Sequence, residues 1–144
     1  MRTRKKPPVK KPTKSKLVKK LDVVYSQYIR RKEADKRGMV KCYTCGKVGH
    51  WKNGGMQCGH FMSRKFYSTR WSEDNTKVQC VGCNMYRSGE QYLFARHLDE
   101  EYGKGKADEL LARSREIRKY SILDIEELIN KYQNLLKKLD AKTA

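Results

Sequence analysis

The sequence predicts an α+β fold: a small treble-clef module with a helix before it and helices after it. Three observations predict it. Cys42-Tyr-Thr-Cys45 and Cys80-Val-Gly-Cys83 are two Cys-x-x-Cys pairs with 34 residues between them, the pattern of one tetrahedral zinc site. Helical periodicity lies outside that stretch, whereas inside it short apolar runs are broken by glycines. Finally, 38% of the 144 residues are hydrophobic and 35% are charged, so a large continuous core is not expected. Zinc bound by Cys42, Cys45, Cys80 and Cys83 is expected to supply part of the folding free energy.

Net charge is +18, which points to a polyanionic partner, because basic surfaces bind nucleic acid by releasing its condensed counterions. The charge is uneven. Residues 1–41 carry 16 Lys/Arg against 3 Asp/Glu, residues 42–98 carry 8 against 3, and residues 99–144 carry 10 against 10. The DNA-facing bias is therefore expected in the first two parts, and the last part reads as structure or as a partner surface. No apolar run approaches the roughly 20 residues that a membrane span needs, and no apolar signal segment opens the chain. A cytoplasmic location is expected, with reduced thiols serving as metal ligands and Cys58 left over.

Taken in order, residues 1–16 form a basic arm, in which Pro7, Pro8 and Pro12 among eight Lys/Arg predict disorder until it is bound. Residues 17–38 form an amphipathic helix up to about Asp35. Its stripe of Leu17, Leu21, Val24 and Tyr28 should pack on the zinc module, and Gly38 should stop it. The module spans residues 39–103: a short strand at 39–42, a ribbon at 46–57 and a strand at 58–62. A loop at 66–74, a segment leading to Cys80 and a helix starting near Cys83 follow. Residues 104–144 form a helical extension. One helix covers residues 106–119, and the last starts at Asp124 with Glu127 in capping-box spacing. Its stripe of Ile125, Leu128, Ile129, Tyr132, Leu135, Leu136 and Leu139 suits an intramolecular face better than a dimer seam.

Within the pinned loop three polar residues could carry chemistry. Phosphodiester hydrolysis needs a base that is neutral near pH 7 and a hard cation on oxygen ligands. His60 suits the first role, and Asn84, directly after the last cysteine, could offer its amide oxygen to Mg²⁺ or Mn²⁺. Asn75 could fix the loop beneath His60 through backbone bonds. Taken singly, a surface histidine, a turn asparagine and a helix-start asparagine are the preferred explanations, and only the ordered set of these residues with the cysteine pairs favours chemistry. The segment Cys42-x2-Cys45-x4-His50 also opens like a Cys-Cys-His-Cys knuckle, but Gly55 stands where the last cysteine belongs and Cys80 and Cys83 would be unused. His50 is therefore read as a loop residue.

The ordered set resembles the His-Asn-His (ββα-metal, HNH-like) endonucleases with a zinc-stapled treble clef, as in the phage endonuclease VII type. More closely it is similar to the phage recombination family NinG, also called Rap. The matching stretches are residues 19–30, Cys42-Tyr-Thr-Cys45-Gly46, Gly59-His60-Phe61, residues 70–75, Gln79 through Asn84, and Ser88-Gly89. The resemblance implies a DNA endonuclease cutting branched recombination intermediates such as Holliday junctions or D-loops. It implies His60 as general base, Asn84 as a catalytic-metal ligand and Asn75 as the supporting asparagine. One position departs. Gly59 stands where many such nucleases carry an Asp, Glu or His ligand, leaving Asp74, Glu90, His97 or water as candidates.

Arg64, Lys65, Arg70, Trp71 and Arg87 in the module, with Lys19, Lys20, Arg30 and Arg31 on the first helix, are expected to meet DNA. Arg forks suit phosphates, and Trp71 could stack on an unpaired base. No base-reading helix is recognisable, so recognition by shape and backbone is expected. Cutting a junction takes two incisions, so a homodimer is expected, with recombination proteins as further candidate partners. Two rivals remain: a noncatalytic zinc module binding DNA or RNA, and an HNH nuclease cutting ordinary duplex.

Overall fold

In the computed structural model, which describes residues 4–143, five α-helices surround two small antiparallel sheets. Helix α1 (Lys14–Arg31) begins where the Thr13 hydroxyl accepts a hydrogen bond from the Lys16 N–H at 3.3 Å. The helix thus starts inside the predicted arm, and it ends at Arg31 rather than near Asp35. The reason is Asp35 itself, whose carboxylate accepts from the N–H groups of Arg37 and Met39, both at 2.9 Å, and so builds a turn. Gly38, at φ +77°, completes it.

Strands β1 (Met39–Lys41) and β2 (Val48–His50) form one hairpin. Strands β3 (Met56–His60) and β4 (Thr76–Cys80) form the second sheet, with Cys58 opposite Val78 and His60 opposite Thr76. The one-turn helix α2 (Tyr67–Arg70) and a 3₁₀ turn at Glu73–Asn75 lie between β3 and β4, where a loop was expected. The helix expected from Cys83 is a single π-type turn, Gly82–Tyr86. Positive φ at Ser88 (51°), Gly89 (83°) and Glu90 (47°) breaks the helical path there, and α3 (Gln91–Tyr102) starts afresh.

Helix α4 (Lys106–Ser114) is followed by an irregular link, and α5 (Ile122–Thr143) begins before Asp124. The capping box is set three residues earlier than the sequence suggested. Asp124 N–H donates to Ser121 Oγ at 3.1 Å, and Ser121 N–H donates to the Asp124 carboxylate at 2.8 Å.

Helices α1 and α5 pack on each other. Leu17, Val18, Leu21, Val24, Tyr25 and Ile29 meet Ile125, Ile129 and Tyr132, with Trp71 at one end. The predicted stripe of α5 is thus spent within the molecule. The main partner of α1 is α5 rather than the cysteine-bearing module, because α5 offers the larger apolar face. A second cluster holds Val40, Cys42, Met56, Cys80 and Cys83, and a third joins Phe61 to Phe94, Leu98, Ala107 and Leu110. None of the described helices is long and apolar enough to cross a membrane.

Candidate metal centre and the cleft beside it

The hairpin β1–β2 and the end of β4 bring the two cysteine pairs together. The four Sγ atoms of Cys42, Cys45, Cys80 and Cys83 all lie within 4.8 Å of one another. Cys45 and Cys80 are 3.7 Å apart, close to the ~3.8 Å edge of a tetrahedron with Zn–S bonds of about 2.3 Å. Cys42, Cys80 and Cys83 are buried and Cys45 is exposed. The donor set therefore fits a closed four-coordinate zinc site. Arg87 gives one guanidinium N–H to Cys83 Sγ at 3.0 Å and pairs with Glu90 at 2.9 Å, so this predicted DNA contact is placed on the metal centre. Four thiolates around Zn²⁺ carry a net −2, and a cation there offsets part of it. The predicted loop residue His50 sits at the end of β2, outside this set, with its Nδ1 accepting from the Lys52 N–H.

Beside this centre, a cleft of about 550 Å³ opens between α1 and β3. His60 and Cys58 from β3, Asn84 from the π turn, and Asp22, Ser26 and Arg30 from α1 line it, with Arg64 at its mouth. Two of the three polar residues singled out in the sequence, His60 and Asn84, thus share one cavity, and Asn75 does not line it. His60 Nε2 bonds the Arg70 carbonyl at 2.9 Å. A carbonyl can only accept, so Nε2 carries the proton and Nδ1 is the ring's remaining acceptor. Burial lowers the His60 pKa below its usual value. The Arg70 carbonyl works the other way, and the Arg64 charge adds to the lowering. The imidazole is neutral at pH 7.

Asn75 is fully buried and braces the loop that follows His60. Its Oδ1 accepts from Met62 N–H at 2.8 Å, and its Nδ2 donates to the carbonyls of Met62 at 3.0 Å and Thr69 at 3.1 Å. Asn84 gives Nδ2 to Gln57 at 2.7 Å, and its Oδ1 has no hydrogen-bond partner among the described residues.

None of the three residues suggested as a further metal ligand lines the cleft. Lys106 and Arg113 each hold Asp74 at 2.6 Å. Burial alone would raise its pKa, but these partners and Ser72 keep the carboxyl well below the usual range. Glu90 pairs with Arg87, and His97 Nδ1 bonds the Tyr43 carbonyl at 2.7 Å. Gly59 has a steric reason: a Cβ there would run into the side chain of Gln79, which is fully buried and anchored on Thr44 and the Gly89 carbonyl. Cys58 lines the cleft as a thiol, since burial pushes its pKa up to about 12.

The cleft's one carboxylate among its lining residues is Asp22, which sequence reasoning missed. It accepts from Arg70 Nε (3.1 Å), Arg70 Nη2 (2.5 Å) and Trp71 Nε1 (2.9 Å), so it ties α1 to the loop whose carbonyl orients His60. The period-four spacing of Asp22, Ser26 and Arg30, a polar line on α1, could have revealed it. Of the predicted DNA contacts, Arg64, Lys65, Lys19 and Lys20 are exposed. Arg30 reaches the cleft while donating to the Trp51 carbonyl, and Arg31 pairs with Asp140 at 2.5 Å. Trp71 is buried at 6% exposure, which leaves it no open face for a base.

These features define a small basic protein with a four-cysteine metal centre and a polar, histidine-bearing cleft. The family model described as Bacteriophage Lambda NinG protein matches residues 1–142, and the chain belongs to that family. No curated protein and no solved structure matches it.

Proposed function

We propose that this chain is a metal-dependent, structure-selective DNA endonuclease, with an HNH-like treble clef stapled by zinc, that cuts branched intermediates in phage recombination. The observation that carries the reading is the shared cleft of His60 and Asn84, with Nε2 of His60 committed to a carbonyl. His60 Nδ1 takes the proton from the attacking water, for which a neutral, lowered-pKa imidazole is suited. Asn75 and Asp22 keep the ring aimed, the first through residues 62 and 69 and the second through Arg70. Arg30 and Arg64 hold the phosphate. Mg²⁺ or Mn²⁺ on Asn84 Oδ1, with water and phosphate oxygens completing its shell, would stabilise charge on the leaving 3′ oxygen.

The test incubates purified protein with a four-way junction and with linear duplex, in Mg²⁺ and in EDTA. Cutting of the junction alone supports the proposal. Cutting of both would make it an ordinary duplex nuclease. His60→Ala should lower cleavage about 10²–10⁴-fold with zinc content and DNA affinity unchanged. Wild-type cleavage should fall as pH drops through the His60 pKa, because only the neutral ring accepts a proton. A second reading, a noncatalytic nucleic-acid binder, is favoured by the neutralisation of Asp22 by Arg70, which leaves the cleft without a free carboxylate. Binding without cutting in Mg²⁺ would establish it.

A further inference from the structure

Away from the cleft, α1 forms one side of a second groove of about 630 Å³, whose other side is the link between α4 and α5. Its floor is apolar and aromatic, made of Val18, Tyr67 and Tyr120. Its rim carries Lys14, Lys19, Arg118 and Lys119, and no carboxylate lines it. All four cations are exposed, and none is in an ion pair among the described residues. Arg118 shares a neighbouring pocket with Asp124 and Glu127, and the Ser121 cap already holds Asp124. Arg118 Cζ lies 4.5 Å from the centroid of the Tyr120 ring, and the Tyr120 and Tyr67 ring centroids are 6.4 Å apart.

The groove and the cleft are laid end to end on one face of α1. Ser15, Val18 and Lys19 line the groove, and Asp22, Ser26 and Arg30 line the cleft. Steps of three and four residues place all six on one side of the helix. At 1.5 Å per residue their centres are about 14 Å apart along the axis, within reach of a few nucleotides. Arg70 joins the two, because it lines the groove while its carbonyl holds His60.

We propose that this groove binds unpaired DNA, taking a base against the Tyr67–Tyr120–Arg118 platform and its phosphates on the lysines. This rests on the reading of the cleft as a DNA-cutting site and assigns its preference for branched substrates to a second surface. An apolar floor between cations suits a single strand, which offers base faces and phosphates together. Paired DNA keeps its base faces inside the stack and would meet only the rim. Trp71, expected to stack on such a base, is buried beneath the platform and packs edge-on to Tyr120 at 5.1 Å. The segment of the chain with no net charge therefore supplies two of the four rim cations.

The test is equilibrium binding in EDTA, so that no cleavage is required. The probes are a fluorescently labelled branched DNA with a short unpaired gap at the branch and a fully paired duplex of equal length. A second gapped branch carries 2-aminopurine in the gap. Arg118→Ala/Lys119→Ala should weaken gapped-branch binding about tenfold, weaken duplex binding clearly less, since the duplex loses only rim phosphate contacts, and diminish the 2-aminopurine quench at equal, sub-saturating protein. Its log-affinity against log-salt slope on the gapped branch should fall by about 1.4, for two lost single-strand phosphate contacts. Equal weakening on both DNAs, or an undiminished quench, would overturn the proposal. A wild-type protein that quenches the gap base yet never cuts would sink the nuclease reading and leave the groove standing. Because both side chains are exposed, thermal unfolding and zinc content should match wild type. A variant that loses either is replaced by Lys14→Ala/Lys19→Ala, read by the same criteria.

Discussion

Two regions of this molecule bury very different amounts of apolar surface. The α1–α5 cluster holds ten buried side chains, among them Leu21, Ile125 and Phe-sized Tyr25 and Tyr132. The cluster around the cysteine pairs holds five, and three of these are cysteines. Burying Val40 and Met56 contributes roughly 2 kcal/mol each, against an ordering cost of about 1–2 kcal/mol for every residue of the hairpin. Apolar burial can hold the helical region together, whereas the cysteine region has little of it and carries four thiols that could hold a zinc ion. The cleft lies on the seam between them, with His60 and Asn84 from one side and Asp22 and Arg30 from the other.

The comparison breaks most visibly at a cysteine. Cys83→Ser should remove the metal and unfold residues 39–86, since apparent zinc-binding free energies of about 10–16 kcal/mol are also folding free energies. Elemental analysis should find zinc absent, while hydrogen exchange should still find α1 and α5 protected. An unchanged exchange pattern around Cys42 would show that the cysteine region folds without metal. Leu21→Ala reverses the pattern. Leu21 is fully buried between α1 and α5, so the change should cost about 3 kcal/mol in urea unfolding with zinc still bound. Zinc lost in parallel with that stability would mean that the two regions fold as one unit.

The same division decides what could be read from the sequence. The cysteine spacing is a local signature, so the four-cysteine cluster that could hold a zinc ion was legible from residues 42–83 alone. The stripes of α1 and α5 were legible as stripes, but periodicity says which face is buried and not against what, so α1 was assigned the wrong main partner. The order of His60, Asn75 and Asn84 singled them out, and the structure brings the first and last of them to one cleft. Asp22 was not singled out, because its role depends on Arg70 and Trp71, 48 and 49 residues away. Of the groove cations, Lys19 was among the expected DNA contacts and Lys14 lay in the basic arm, but Arg118 and Lys119 were missed for a related reason. Net charge averages over a segment, and no acid of residues 99–144 lines the groove: Glu101 is on α3, Glu109 on α4, and Asp124 and Glu127 on α5.

The smallest expected effect on stability falls on the seam itself. Asp22→Asn keeps the shape but removes the charge that pairs with Arg70, at a cost of about 2 kcal/mol, since both groups are mostly buried. Stability alone would not separate a structural residue from a positioning one. The pH profile of cleavage does. The Asp22 carboxylate favours the imidazolium form of His60, whereas Arg64 and Arg70 disfavour it. Removing the negative charge leaves the two cations uncompensated, so the His60 pKa falls further and the acidic limb of the profile should move to lower pH. A limb that stays in place, or moves up, would show that Asp22 acts on the loop alone and that the field in the cleft is set by other groups.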